Sequence, residues 1–294
     1  MNTCLIPAWR RPEFLWHCLA NIKRAEGADE IFYIFRFDHG HDPELHDVIK
    51  DFPFPHEVHV TPRTSYLISK QSYSLLTGYR IAAQKSDSLV FMIEEDVMVA
   101  TDFFRWHLAA QQALPEAFCS IAVANPNRNM QDTGAPDEYY LGSGDYCSLG
   151  VCFLREVLLE QVLPQATPRY FEQPVAHCAR EFRDAPFGQA FAEQDGLIRR
   201  IQWRHGPERP IVWPWTARAY HAGLYGKNRG AGPSGSFAKR LAYVTEVIYS
   251  DEAMRTLARH PEWYDDSRPI DLNAAPWITQ SLKPLDPERN PLRF

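Results

Sequence analysis

Residues 88–104 read SLVFMIEEDVMVATDFF, and their change of character part-way decides the fold. Residues 89–93 (LVFMI) are wholly apolar, the composition of a strand buried on both faces. Glu94, Glu95 and Asp96 follow without a spacer. In an open α/β sheet, ligands bind in the crevice beyond the carboxyl ends of the strands. An acidic triplet at such an end therefore suggests a bound cation rather than a solvated face. Asp102-Phe103-Phe104-Arg105-Trp106 then reads as the start of a helix, with Thr101 or Asp102 as N-cap.

Upstream, residues 3–7 form a candidate first strand. A helix begins at Pro12, with Phe14, Leu15, Cys18, Leu19 and Ile22 on one face. The turn between them carries Trp9, Arg10 and Arg11. Two arginines just past a strand end suit a phosphate or a base edge, and equally a solvated surface. Residues 30–37 (EIFYIFRF) form a second strand ending in Asp38-His39-Gly40-His41-Asp42. Two histidines at i and i+2 make a poor zinc site without a third ligand. Asp38, at the tip of the strand beside the first, can accept hydrogen bonds from a nucleobase or ribose. A short helix over 43–51, a strand over 57–60 and a long helix over 69–85 lead to the acidic strand, and 118–124 adds another. This alternation predicts an α/β fold: a mostly parallel sheet flanked by helices.

From residue 125 the texture changes. Residues 125–145 are polar and rich in Gly and Pro, and are expected to form a binding loop. Residues 147–154 return to a strand and 155–163 to a helix. Residues 186–203 read as a helix carrying Glu193-Gln194-Asp195, and 209–215 as a strand followed by His221. A Gly-rich basic loop over 227–236 comes next, then a tail with two helices and a Pro-rich end. The expected division is a domain over 1–235, with a ligand-binding half at 1–125 and a mixed half at 126–235, and an extension over 236–294.

A chain of 294 residues suffices for one large α/β domain. Its six cysteines form no CxxC pair, so reduced, mostly buried thiols in a cytoplasmic protein are expected. The start of the chain runs straight into strand, with no export signal, and no membrane span is expected. A net charge of −6 disfavours a nucleic-acid partner, although Arg199, Arg200, Arg204 and residues 227–240 could form a local basic patch.

The order of these parts resembles the GT-A type of nucleotide-sugar-dependent glycosyltransferase. It is most similar to the family of the N-acetylglucosaminyltransferase that begins hybrid and complex N-glycans, and more loosely to bacterial inverting GT-A enzymes. Four stretches carry the likeness: Ile6-Pro7-Ala8-Trp9-Arg10-Arg11, Asp38-His39-Gly40-His41, the acidic triplet with Asp102-Phe103-Phe104, and Ser148-Leu149-Gly150 followed by Glu193-Gln194-Asp195. The resemblance implies that Asp96 coordinates a divalent cation, Mn²⁺ or Mg²⁺, bridging the donor diphosphate. His221 stands where many such enzymes complete the metal site. Glu95, with Glu94 beside it, would lie at the ribose or sugar, Asp38 at the uracil or ribose, and Arg10 or Arg11 at the nucleotide. Lys227 would belong to a lid ordered by the nucleotide. Asp195 or Glu193 would be the catalytic base, since the motif departs from the family's paired aspartates.

That chemistry explains the residue types. A departing diphosphate gains negative charge, and hard cations that offset it choose carboxylate, phosphate and water oxygens, so one or two protein ligands suffice. One carboxylate on the other side of the sugar can take the acceptor proton. The expected partners are a nucleotide-sugar donor, UDP-sugar foremost, and a hydroxyl acceptor: a glycan, a lipid-linked precursor, a protein, a small molecule or a hydroxymethylated DNA base. A nucleotidyltransferase is the alternative enzyme, although Pro7 to Pro12 lack the Gly-rich loop with a Lys. A silent nucleotide-sugar-binding module is the non-enzymatic alternative.

Overall fold

The computed structural model describes residues 1–123, 138–188, 191–221 and 283–284. Chain order runs β1 (Asn2–Ala8), α1 (Pro12–Ile22), β2 (Ile31–Phe37), α2 (Glu44–Ile49), β3 (His56–Val60), α3 (Lys70–Lys85) and β4 (Leu89–Met92). Then come β5 (Val97–Val99), α4 (Phe103–Ala113), β6 (Cys119–Ile121), β7 (Glu138–Gly142), β8 (Val151–Leu154) and α5 (Arg155–Val157), which continues as a π-helical stretch, Leu158–Val162. The short helices α6 (Pro168–Glu172) and α7 (Pro174–Glu181) precede α8 (Gln194–His205), β9 (Ile211–Pro214), β10 (Ala219–His221) and β11 (Lys283–Pro284).

Among the described residues one sheet has the strand order β3-β2-β1-β4-β8-β6-β9-β7-β11. The half from β3 to β4 is parallel throughout. Beyond β4 the sheet turns mixed, because β8 runs antiparallel to both β4 and β6, and β7 antiparallel to β9. The expected architecture of a mostly parallel sheet flanked by helices, with a mixed second half, is therefore present. β1, β2 and β4 are buried along nearly their whole length, as their largely apolar sequences require. Helix α3 packs on β1, β2 and β4, starting at Ser69, whose hydroxyl accepts from the Ser72 amide as an N-cap.

Three expectations need correction. The helix expected over 186–203 starts at Gln194. Before it, the carbonyls of Phe187, Gly188 and Phe191 are gathered by the buried Arg200 guanidinium, which donates to each of them and to Gly196. Gly196 permits this: a Cβ there would lie 2.1 Å from the Phe191 carbonyl oxygen. The loop expected over 125–145 contains strand β7, held to β9. Residues 227–240 of the expected basic patch lie outside the described residues, and its three described arginines are engaged. Arg200 is spent on carbonyls, Arg199 donates to the Tyr146 carbonyl, and Arg204 stacks 4.2 Å over the Phe182 ring.

All six cysteines are free, and all but the half-buried Cys147 are buried. No helix among the described residues is long and apolar enough to cross a membrane. Lys227, its loop, and residues 236–294 other than Lys283–Pro284 lie outside the described residues.

Candidate active site

Strand β4 ends in a turn. The Ile93 amide still reaches the Leu5 carbonyl of β1, and then the Val97 amide closes a turn on the Glu94 carbonyl at 2.9 Å. The three carboxylates sit on this turn and diverge. Glu95 and Asp96 meet the loop after β1: the Trp9 amide donates to Glu95 Oε2 at 2.7 Å, Arg11 Nε to Glu95 Oε1 at 2.6 Å, and Arg11 Nη1 to Asp96 Oδ2 at 2.6 Å. Both acids are almost fully buried. Burial favours loss of the Arg11 proton, but the charges of Asp96 and Glu95 outweigh it and hold the guanidinium protonated.

After Asp96 the chain runs through β5, which pairs antiparallel with β10 so that Val97 lies opposite His221. This ladder carries His221 Nε2 to 3.2 Å from Asp96 Oδ2. Burial alone would raise the Asp96 carboxyl. The hydrogen bond and charge of His221, followed by Arg11, more than reverse it and keep Asp96 well below the usual carboxylate range. Glu95 goes the other way: burial pushes it up to about 7 against the opposing Arg11 charge.

The ladder is anchored in the core. Ala122 offers its carbonyl to the amides of Arg218 and Ala219. Gly150, at φ +63°, leaves room for this, since a Cβ would stand 3.1 Å from that of Ala219 and 3.3 Å from that of Ala122. Asp102, the residue before α4, makes no side-chain cap. It forms a buried ion pair with Arg218 at 2.7 Å instead.

Glu94 faces another group. Ser148 Oγ donates to Glu94 Oε1 at 3.0 Å, and the same hydroxyl lies beside Asp195, in the first turn of α8, where it favours the ionised carboxylate. Burial, followed by the charges of Asp96 and Asp195, pushes Glu94 up to about 8. Burial also lifts Asp195 to about 6, opposed by Arg199 and the Ser148 hydroxyl. Glu193 lies elsewhere: it accepts from the Ser69 hydroxyl at 2.7 Å, at the start of α3. Ser72 and Gln194 bond to each other as well, so the N-termini of α3 and α8 are fastened together and Asp195 is fixed in place.

Asp38 ends β2 next to Ala8, and burial pushes it up to about 6 against Ser74, Arg36 and Lys70. Arg10 lies over the half-exposed Trp9 ring at 4.6 Å and donates to the Gly40 carbonyl at 3.0 Å. His41 and His46 touch at 3.0 Å through their Nε2 atoms. Among the described residues no group of three or more His, Cys, Asp or Glu side chains converges as a ligand set.

The structure thus gathers Arg11, Glu95, Asp96 and His221 in one cluster and sets Glu94 and Ser148 close to Asp195 in another beside it. Arg10 and Asp38 sit at the neighbouring strand tips. Sequence reasoning assigned no role to Ser148, the partner of Glu94, because a single serine has no signature. Nor did it see that Arg11 bridges two carboxylates, which requires the register of β1 against β4.

No protein-family model and no curated protein matches the chain. Solved structures similar to it include the Staphylococcus aureus TarS fragment 1–349 in complex with UDP-GlcNAc, at 10% identity and TM-score 0.49, covering 89% of this chain and 73% of that one. The galactosyltransferase LgtC in complex with donor and acceptor sugar analogues is similar at 10% identity and TM-score 0.46, covering 81% and 95%. So is the 4-diphosphocytidyl-2C-methyl-D-erythritol synthase of Anaerococcus prevotii, at 11% identity and TM-score 0.43, covering 83% and 96%. Likenesses this distant do not identify a chemistry.

Proposed function

We propose that this chain is a metal-dependent GT-A-type glycosyltransferase that moves a sugar from a nucleoside diphosphate sugar, a UDP-sugar foremost, to an acceptor hydroxyl with inversion. The observation that carries this reading is the pairing of two unlike clusters at one strand tip: Asp96 with His221 on one side, and Glu94 with Ser148, close to Asp195, on the other.

The first cluster suits a hard divalent cation, Mn²⁺ or Mg²⁺. Asp96 Oδ1 is buried with no hydrogen-bond partner, a cost that a bound cation would relieve. Asp96 and His221, already side by side, are the residues that would hold it. Bound there, the cation would offset the charge that the departing diphosphate gains.

The remaining work falls to protein groups. Asp38 would accept from the base or ribose, Arg10 on Trp9 would lie along the nucleotide, and Lys227 with its loop would cover it. Asp195, ionised above about 6, would take the acceptor hydroxyl proton as the oxygen bonds the anomeric carbon and the bond to the diphosphate oxygen breaks. Asp195 is preferred to Glu193 as base because Glu193 is committed to Ser69.

The test is a thermal-shift screen of UDP, GDP, ADP and dTDP sugars with Mn²⁺, followed by slow, Mn²⁺-dependent hydrolysis of the donor that binds. A UDP-sugar is expected to raise Tm and to be hydrolysed without acceptor. No binding and no turnover of any nucleotide-sugar would overturn the reading.

A further inference from the structure

The geometry points to Arg11 as a built-in counter-cation that guards the acidic tip against free metal and makes cation binding conditional on a diphosphate. This deepens the reading above and rests on it. The Arg11 fork does not grip one carboxylate with both arms. Nε takes Glu95 and Nη1 takes Asp96, each at 2.6 Å, and the guanidinium is itself mostly buried, at 19% exposure. Nη1 and His221 Nε2 share the same oxygen, Asp96 Oδ2, while Oδ1 stays buried without a partner. A cation that takes Asp96 and His221 as ligands, through either carboxylate oxygen, therefore comes close to the guanidinium that already holds Oδ2. There, guanidinium and ion repel across a medium that screens poorly.

A diphosphate removes the conflict. It brings its own negative charge, and its oxygens match the guanidinium fork as well as a carboxylate does. Arg11 then moves Nη1 from Asp96 to a phosphate oxygen, staying tethered to Glu95 through Nε, and Asp96 is released to the cation. Each ligand improves the site for the other, a positive coupling that must be equal in both directions.

The test titrates Mn²⁺ into the full chain with and without UDP, reading free Mn²⁺ by electron paramagnetic resonance, for wild type, R11Q and R11K. Wild type is expected to bind Mn²⁺ about tenfold more tightly with UDP than without it. R11Q should bind Mn²⁺ alone about tenfold more tightly than wild type, with a smaller further gain from UDP than wild type shows, and should bind UDP more weakly. R11K, which keeps the charge but loses the fork, should fall between them, and it carries the test if R11Q does not fold. A gain in affinity cannot come from misfolding, so a merely structural Arg11 would not produce it. Equal Mn²⁺ affinity of wild type and the variants in the absence of UDP overturns the inference alone. No UDP binding by wild type at any Mn²⁺ concentration overturns the glycosyltransferase reading and the diphosphate half of the inference with it.

Discussion

Glu94 and Asp96 are two residues apart on one turn, and their surroundings push them in opposite directions. Asp96 meets Arg11 and His221 and is held ionised, whereas Glu94 meets Ser148 and the neighbourhood of a second acid, Asp195, and is driven toward its protonated form. Asp96 is the more deeply buried of the two, and burial raises both, so it cannot be what separates them. The difference lies in what the rest of the chain brings to each side. The side with an ionised carboxylate, a histidine and a guanidinium suits a cation together with an anionic phosphate, and the side with weakened acids suits proton transfer.

Breaking the Asp96 side should give the largest effect. Asp96→Ala is expected to abolish the Mn²⁺-dependent rise in Tm with UDP, worth about 2.7 kcal/mol for a ligand at 100 times its Kd. A retained shift would mean that Asp96 is not the metal carboxylate. Asp195→Asn breaks the other side: transfer should fall by about 10²–10⁴, while donor binding by thermal shift is unchanged. Normal transfer by that variant would return the role of base to Glu193.

Arg218→Met tests the ladder that brings His221 across. Removing one partner from the buried pair with Asp102 should cost about 3–5 kcal/mol in chemical denaturation. A loss below about 1 kcal/mol would show that the ladder does not depend on the pair. Ser148→Ala should be milder, lowering kcat about tenfold with donor binding intact, because it removes one hydrogen bond to Glu94 beside Asp195.

The smallest effect concerns pH. Asp195 has its folded pKa raised to about 6 from 3.8, so the folded state binds the proton more tightly than the unfolded state. The ionised form therefore costs stability above about 6, and that cost fades as pH falls toward 4. Asp195→Asn should melt slightly higher than wild type at pH 7.5 and level with it near pH 4. Wild-type kcat should rise with pH through about 6. A flat profile between pH 5 and 7 would separate Asp195 from the proton transfer.

Much of the fold was legible because parallel strands buried on both faces must be continuously apolar, which a single strand displays on its own. The runs at β1, β2 and β4 did so, and the acidic stop after β4 marked a strand tip. The start of α8 was not legible. The stretch before Gln194 has helical spacing in sequence, but Arg200 takes the carbonyls of Phe187, Gly188 and Phe191 as its own partners. Strand β7 was hidden because its pairing with β9, rather than its composition, makes it a strand.

By itself the sequence determined the alternation of strands and helices, the acid-bearing tip, and the neighbouring positions of Asp38 and Arg10, all of which follow from local periodicity and short connections. Only the tertiary structure decided that Arg11 spans two carboxylates, that His221 reaches Asp96 across 125 residues, and that Ser148 and Asp195 come beside Glu94. The reason is physical: a side chain's charge state depends on what is packed against it, and packing partners are chosen by register and topology rather than by neighbours along the chain.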